Sequence, residues 1–363
     1  MLEVAEIFRL HGESFRASHR LAPWQWKAMV EIEHCRTAYF GGHLEQCDRC
    51  GHEHYSYHSC RNRHCPKCHG EQTQAWLQKQ QGRLLPVAYY LLTFTWPAPL
   101  RALAKNHPRQ IYNLLMKAAV ASLQSLAHDP QWVGGTLPIL AVLHTWTRTL
   151  LLHPHVHILV PAGGISPAGA WVHAKHPQFL LPGYALSQIF RAKIKAGLQH
   201  LHLWDVNCPC WKQKWDVHCR HAGSGDKVLD YLARYVFRIG ISNSRLEKLQ
   251  DEQVTFRYRN NKTQELCHTT IPAQEFIQRF LQHVLPKGFV KVRAYGLWSS
   301  SQKERLAKIQ QELAQTRDSH PLPTHQASKT GSRPTEQPRL CPQCKLGSMR
   351  LIRTIPRQRG RPP

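Results

Sequence analysis

The amino-acid sequence predicts an α+β fold with a small cysteine-rich domain near its N-terminal end. Along the middle of the 363-residue chain, short runs rich in β-branched and aromatic residues alternate with longer runs that carry apolar residues at helical spacing. Two predicted strands, at about 137–146 and 154–161, are joined by a short connection and can pair antiparallel. Interleaved helices and strands that include an antiparallel pair indicate the α+β class.

The remaining elements follow from local patterns of the same kind. A helix is predicted within residues 1–34, and a cysteine- and histidine-rich block follows it. Further elements are predicted in this order: a strand at 87–96, helices at about 108–127 and 184–200, a strand at 215–220, and a helix from Asp226 to Gly240. Beyond residue 300 the sequence is polar and rich in Pro, Ser and Thr, which predicts a linker or tail. The predicted domains are therefore 1–80, 81–300 and 301–363.

The charge of the chain is strongly positive. It contains 48 Lys and Arg against 23 Asp and Glu, for a net charge of +25 and a sequence pI near 9.9. An excess of this size concentrates polyanions around a protein, and nucleic acid is the usual one. The 11 Trp and 11 Tyr interleaved with the basic residues can stack on unpaired bases. The composition therefore favours a nucleic-acid-binding protein.

Nothing in the sequence predicts export or membrane insertion. The first residues carry acids where a signal peptide has a basic region, and the longest apolar run, about 84–100, is interrupted by Pro86, Pro97 and Pro99. We therefore expect an intracellular protein. In that compartment, the 12 cysteines are better explained as metal ligands or thiols than as disulfides.

Two Cys-x2-Cys pairs predict a structural zinc site in the N-terminal block. The proposed ligands are Cys47, Cys50, Cys65 and Cys68, because two residues between cysteines let both thiolates face one ion. A second site through Cys60 and His64 is left open. Neighbouring arginines, among them Arg61 and Arg63, are expected to contact DNA.

A third Cys-x2-Cys pair lies near the C-terminal end of the chain. Cys341 and Cys344 form half of such a site, with no second pair behind them in the sequence. They are interpreted as an isolated pair in the tail: either the remnant of a zinc ribbon or ligands shared with another chain.

Three histidines alternate along one predicted strand. In "HPHVHILV" the strand period places His153, His155 and His157 on one face and the apolar residues on the other. The row is either a polar face turned to water or a set of neutral imidazoles that bind a divalent cation.

Two tyrosines lie four residues apart on a predicted helix. In "KVLDYLARYVFR", Tyr231 and Tyr235 share one side of the apolar stripe, and Lys227, Arg234 and Arg238 lie just beyond them. Either the rings pack at the edge of the core or the phenols react with a phosphodiester beside the three cations. Ionisation of a phenol, whose ordinary pKa is about 10, would be assisted by cations and a metal.

These motifs together resemble the HUH rolling-circle transposases of the insertion-sequence family numbered ninety-one. The resemblance is carried by "LAVLHTW", "HPHVHILVPAGGIS", "YLARYVFRIGISNSRL", "FLQHVLPKGF" and "CRNRHCPKC", and it extends to about residue 300. It implies an antiparallel sheet flanked by helices, with the histidine strand central and the tyrosine helix facing it. It also implies that His155 and His157 bind the catalytic metal, and that Tyr231 and Tyr235 are paired nucleophiles.

The resemblance further implies the chemistry and the partners. The metal is expected to be Mg²⁺ or Mn²⁺. For the third protein ligand, the first candidate is His144, because it lies on the neighbouring strand; His153 is the second candidate and Asp230 a remote third. The expected function is transposition in the bacterial cytoplasm, by nicking and rejoining single-stranded DNA at element ends and target site through 5′-phosphotyrosine intermediates. The alternatives are a rolling-circle replication initiator or relaxase with the same chemistry, and a zinc-containing DNA-binding protein without activity.

Overall fold

Thirteen strands and seven α-helices occur in the part of the chain that the computed structural model describes, which is residues 1–68, 76–77, 80–176, 179–223, 228, 239–260, 262–318 and 339–358. The helices are α1 (Val4–Ser18), α2 (Pro23–Glu33), α3 (Arg101–Asn106), α4 (Pro108–Ala127), α5 (Gly183–His200), α6 (Ala273–Leu281) and α7 (Lys303–Asp318). The strands are β1 (Gly42–Cys47), β2 (Glu53–Tyr57), β3 (Tyr89–Thr95), β4 (Ile139–Trp146), β5 (Leu152–Pro161), β6 (Gly163–Ile165), β7 (Trp171–His173), β8 (Val217–Gly223), β9 (Leu246–Gln250), β10 (Gln253–Arg259), β11 (Leu266–Pro272), β12 (Val292–Tyr295) and β13 (Met349–Ile355). Among these helices, none is both long enough and apolar enough to cross a bilayer.

The central sheet has five antiparallel strands in the order β12-β4-β5-β3-β8. The predicted α+β class, with an antiparallel sheet flanked by helices, is confirmed. The histidine strand β5 lies in the middle, paired with β4 on one side and β3 on the other. This pairing places His155 opposite His144 and His157 opposite Thr93.

The two faces of β5 have different surroundings because its side chains alternate. Val156, Ile158 and Val160 are buried in the main core, together with residues of α4 and α5. Leu159 lies on the opposite face with the histidines and belongs to a second buried cluster that includes Trp298 and residues of α7. At one end of the histidine row, the same face of β5 is therefore covered by the apolar cluster around Trp298.

The N-terminal helices pack against a different sheet. Strands β11, β10 and β9 form an antiparallel sheet, and α1, α2 and α6 share a buried core with it. The rings of Phe8 in α1 and Phe280 in α6 meet edge to face, with centroids 5.3 Å apart. The first helices thus share a core with residues about 250 positions later in the chain.

The segment after residue 300 contains more regular structure than its polar composition predicts. Helix α7 buries Leu306 and Ile309 against the cluster around Trp298. Strand β13 pairs antiparallel with β1, which completes a three-stranded sheet in the order β13-β1-β2. The prediction of a mere linker or tail is therefore wrong for these described residues. A few apolar residues at helical spacing are easily overlooked among polar neighbours.

Candidate functional site

Three histidines converge on one face of the central sheet. His144, His155 and His157 each offer one ring nitrogen, and these nitrogens all lie within 4.8 Å of one another. The centroid of the His144 ring is 4.7 Å from that of His157 and 5.4 Å from that of His155. One residue, Val156, separates His155 from His157 along β5, and the register places His144 directly opposite His155. Strand alternation and strand pairing together therefore assemble the cluster.

In two of the three rings, Nδ1 lies within hydrogen-bonding distance of a protein oxygen atom. Nδ1 of His155 lies 2.7 Å from the carbonyl oxygen of His153, and Nδ1 of His157 lies 3.1 Å from Oγ1 of Thr93. A carbonyl oxygen only accepts hydrogen bonds, so Nδ1 of His155 donates its proton and Nε2 keeps the lone pair. Metal-binding histidines typically have this arrangement, in which the second ring nitrogen is held by an oxygen.

His144 is held by packing. Only 2% of it is exposed, and its ring stacks on Trp146 at a centroid distance of 4.8 Å. Trp146 in turn contacts the ring of His283, and the ammonium of Lys291 lies over its face at 5.2 Å. Because the indole is fixed from several sides, the orientation of the His144 ring is fixed as well.

His153 is oriented toward a different partner. The Arg101 guanidinium contacts its Nδ1 at 3.0 Å, and since a guanidinium only donates, Nδ1 is the acceptor. Burial, and then the charge of Arg101, lowers the pKa of His153. Of the candidates for a third ligand, the structure brings His144 and not His153 into the cluster, while Asp230 lies outside the described residues.

The donor set fits a divalent cation. Three neutral imidazoles suit manganese and other transition metals better than magnesium on ligand softness, and they leave coordination positions for oxygen ligands. No Asp or Glu among the described residues belongs to the group.

The tyrosine segment, residues 224–238, lies outside the described residues except for Val228. It contains Tyr231, Tyr235, Lys227, Arg234 and Arg238. Its described flanks can be located. Val228 is fully buried in the apolar cluster of Leu140 and Leu159, on the face that carries the histidines.

On its other side, the segment ends near the β4–β5 connection. A Cβ added to Gly240 would lie 3.1 Å from Cδ2 of Leu150 and 3.4 Å from Cδ2 of His283, whose ring touches Trp146. The described residues on both sides of the tyrosine segment thus lie next to elements that surround the histidine cluster.

Eight of the 12 cysteines form two clusters of four. In the first cluster, Cys35, Cys60, Cys65 and Cys68, the Sγ atom of Cys68 lies 3.5 Å from those of Cys35 and Cys60. In the second, Cys47, Cys50, Cys341 and Cys344, the Cys47–Cys344 and Cys50–Cys341 sulfur pairs are each 3.7 Å apart.

The predicted grouping of Cys47, Cys50, Cys65 and Cys68 around one ion is therefore wrong. Cys47 and Cys50 lie at the turn between β1 and β2, whereas Cys65 and Cys68 lie against Cys35 beyond the end of α2. Cys341 and Cys344 are not isolated, because β13 places them beside the β1–β2 turn. Cys35 was missed because no second cysteine accompanies it at short spacing.

Two residues between the cysteines have structural contacts that the sequence did not reveal. Nε2 of His64 accepts a hydrogen bond from the backbone N–H of Leu285 at 3.3 Å, and His64 does not join a cluster, unlike Cys60. The Arg63 guanidinium donates to the carbonyl of Phe289 at 2.6 Å, and burial lowers its pKa. Arg63 is thus directed into the protein, contrary to the expected surface position, whereas Arg61 is exposed.

Comparisons with known proteins identify two family models along the chain. The model of a transposase zinc-binding domain matches residues 7–96, and the model of a putative transposase matches residues 139–305. A putative transposase, y4qJ, of Sinorhizobium fredii is 39% identical over 96% of this chain and 94% of its own length. The transposase for insertion sequence element IS801 of Pseudomonas savastanoi pv. phaseolicola is 29% identical over 72% of this chain and 67% of its own. No solved structure matches.

Proposed function

This chain belongs to the IS91 family of transposases, and we propose that it cuts and rejoins single-stranded DNA through a covalent 5′-phosphotyrosine. Transposases act on DNA, and the net charge of +25 suits a polyanionic substrate. The observation that carries the proposal is the convergence of His144, His155 and His157 on one face of the sheet.

In this proposal His144, His155 and His157 would hold Mg²⁺ or Mn²⁺. When bound, the ion would polarise a non-bridging oxygen of the scissile phosphate and offset the charge that develops in the transition state. Thr93 and the carbonyl of His153 hold the β5 rings in place, and Trp146 holds that of His144. Because these contacts fix the orientation of the rings, the site needs little reorganisation at the moment of reaction.

The proposed nucleophiles are Tyr231 and Tyr235. The phenolic oxygen attacks phosphorus, the bond from phosphorus to the 3′-oxygen breaks, and that oxygen leaves and takes up a proton as a 3′-hydroxyl. The 5′-phosphate stays on the tyrosine, which conserves the bond energy, so rejoining needs no ATP. The positions of two described residues support this role: Val228 is buried on the face of the sheet that carries the histidines, and Gly240 lies next to Leu150 and His283.

Two nucleophiles allow a strand exchange that one does not. One phenol cuts the donor strand, and the other cuts the target or the second end. The freed 3′-hydroxyl then attacks the first phosphotyrosine, forms a new phosphodiester and releases the phenol. Lys227, Arg234 and Arg238 are proposed to contact the phosphates of the bound strand.

The test is covalent capture of DNA. The protein is incubated with Mn²⁺ and single-stranded oligonucleotides spanning the ends of its insertion sequence, and the adduct is measured by denaturing electrophoresis. We expect Tyr231→Phe and Tyr235→Phe each to keep some adduct but to transpose poorly in cells, and the double variant to form none. Tyr184→Phe, at an exposed position on α5, is the matched control. Adduct formed by the double variant would refute the assignment of the nucleophiles.

A further inference from the structure

The second cysteine cluster joins segments that are far apart in the chain. Cys47 and Cys344 are separated by 297 positions, and Cys50 and Cys341 by 291, yet both sulfur pairs are 3.7 Å apart. Four thiolates around zinc at about 2.3 Å place neighbouring sulfurs about 3.8 Å apart in a regular tetrahedron. The spacing of the cluster therefore matches the edge of a zinc tetrahedron.

Both cysteine pairs have the local structure that favours thiolates. The backbone N–H groups of Arg49 and Cys50 donate to Sγ of Cys47 at 3.4 and 3.5 Å, and that of Gly347 donates to Sγ of Cys344 at 3.4 Å. N–H groups directed at sulfur stabilise the charged form, which is the form that binds metal.

Gly347 allows the two turns to approach each other closely. A Cβ at this position would lie 2.5 Å from Sγ of Cys47 and 2.8 Å from Cβ of Arg49. Any other residue here would push the C-terminal turn away from the β1–β2 turn. The contact between the turns is thus built into the sequence at Gly347.

The strand that follows the C-terminal cysteines has little apolar burial to hold it. Strand β13 pairs with β1 from Met349 opposite Cys47 to Ile355 opposite Gly42. Within β13, however, Leu351 is 60% exposed and Ile352 is 56% exposed. An edge strand that buries so little apolar surface is marginal without another source of stability.

Polar contacts between the same two segments are few and exposed. Asp48 and Ser348 exchange two hydrogen bonds, from Ser348 N–H to Oδ1 of Asp48 at 2.9 Å and from Asp48 N–H to the Ser348 carbonyl at 3.1 Å. Arg350 forms an ion pair with Asp48 at 3.3 Å, and Arg339 forms one with Glu45 at 3.4 Å. Pairs of this kind contribute about 0–1 kcal/mol each. They orient the turns but do not account for the docking of the strand.

We propose that Cys47, Cys50, Cys341 and Cys344 bind a structural zinc ion that docks the C-terminal segment on the N-terminal hairpin. The site is a zinc ribbon divided between the two ends of the chain: the β1–β2 hairpin supplies one pair of thiolates, and the turn before β13 supplies the other. It is separate from the cluster of Cys35, Cys60, Cys65 and Cys68, and each holds its own ion. The proposal does not depend on the chemistry of the histidine site.

The first test is zinc content, measured by mass spectrometry of the metal in full-length protein freed of loosely bound ions. We expect two zinc ions per chain in the parent and one in a variant with both Cys341→Ser and Cys344→Ser. Cys267→Ser, a cysteine in neither cluster, is the matched control and should keep two. One zinc per chain in the parent, or two in the double variant, would overturn the proposal.

A second test of the zinc-dependent docking uses the parent cysteines, so it remains possible if the double variant fails to fold. A protease site is inserted between residues 328 and 329 of the parent sequence, and the cleaved protein is passed over a sizing column. We expect the C-terminal fragment to elute with the rest of the chain, and to separate after a thiol-compatible zinc chelator is added. A fragment that separates before the chelator, or that stays bound after complete removal of zinc, contradicts the proposed docking.

Discussion

The histidine cluster and the cysteine cluster of Cys47 are both sets of metal ligands, but they are assembled in different ways. The histidines come from two neighbouring strands and lie within 14 consecutive residues, His144–His157. The cysteines come from two turns separated by almost 300 positions. The sheet alone positions the first set, whereas the second set exists only when β13 has paired with β1. The first therefore belongs to the core of the fold, and the second holds two ends of the chain together.

Loss of a histidine ligand should have the largest effect on activity and a small one on structure. His157→Ala removes a ligand that the sheet does not need for its stability, since its side chain lies on the partly open face. We expect DNA cleavage to fall by about 10³-fold or more, corresponding to several kcal/mol of transition-state stabilisation. Binding of single-stranded DNA should persist, because it depends on basic and aromatic surface.

The measurement is adduct formation and band shift with the same oligonucleotide, with the exposed His173→Ala as control. Full cleavage by His157→Ala in Mn²⁺ would remove this histidine from the site.

The two cysteine clusters should differ in their effect on stability. Cys65 is buried in the core that α1 and α2 share with α6, whereas Cys50 is exposed at the β1–β2 turn. Structural zinc in small domains contributes on the order of 10 kcal/mol to folding. We therefore expect Cys65→Ser to lose zinc and unfold the N-terminal core, and Cys50→Ser to lose zinc with a smaller drop in melting temperature. Zinc content and thermal melting of both variants check this, and a zinc-free Cys65→Ser protein with the parental melting curve would contradict it.

Thr93, which contacts the ring of His157, should affect the affinity of the histidine cluster for metal. Oγ1 of Thr93 holds Nδ1 of His157, so Thr93→Val leaves the ligand in place but removes the partner of its second ring nitrogen. Changes of this kind weaken metal binding by about 10–100-fold. Isothermal titration with Mn²⁺ measures the effect, and Thr95→Val, two residues further along β3, is the matched control. Equal affinities of the Thr93→Val and Thr95→Val variants would show that the contact does not support the ligand.

The free energy of unfolding should depend on pH through His283, whose ring contacts Trp146, the residue that stacks on His144. Burial lowers the pKa of His283 to about 4 from an ordinary value of 6.5. The unfolded chain therefore binds a proton that the folded chain rejects, and the free energy of unfolding falls as pH decreases from about 6.5 to about 4. The loss is at most about 3 kcal/mol. Urea unfolding between these pH values should show a smaller decrease for His283→Gln than for the parent, and parallel curves would exclude the assignment.

Whether each metal-ligand cluster could be predicted from the sequence depends on how far apart its ligands lie in the chain. Alternation along β5 is visible in eight residues, so the sequence itself predicted that the histidines share one face of the strand, whereas the central position of the strand was implied by the family resemblance. His144 could be proposed because a short connection makes β4 the neighbour of β5. The resulting cluster depends only on local pairing. The role of Tyr231 and Tyr235 remains a prediction that the family resemblance implies.

The cysteine clusters could not be predicted in the same way. Three Cys-x2-Cys pairs can combine in several ways, and the choice depends on which turns meet after the whole chain has folded. Cys35 and Cys60 carry no pair signal, although they complete the first cluster. The inward direction of Arg63 was hidden for a related reason, since its carbonyl partners lie more than 220 positions later in the sequence.

The most direct test of the account is the number of imidazoles that bind one Mn²⁺ ion. Pulsed electron paramagnetic resonance on protein labelled with ¹⁵N in histidine counts the ring nitrogens coupled to the ion. We expect three coupled nitrogens in the parent protein, two in His144→Ala and three in His153→Ala. A parent with two coupled nitrogens, or a His144→Ala variant that keeps three, would contradict the claim that the sheet register of β4 and β5 builds the site.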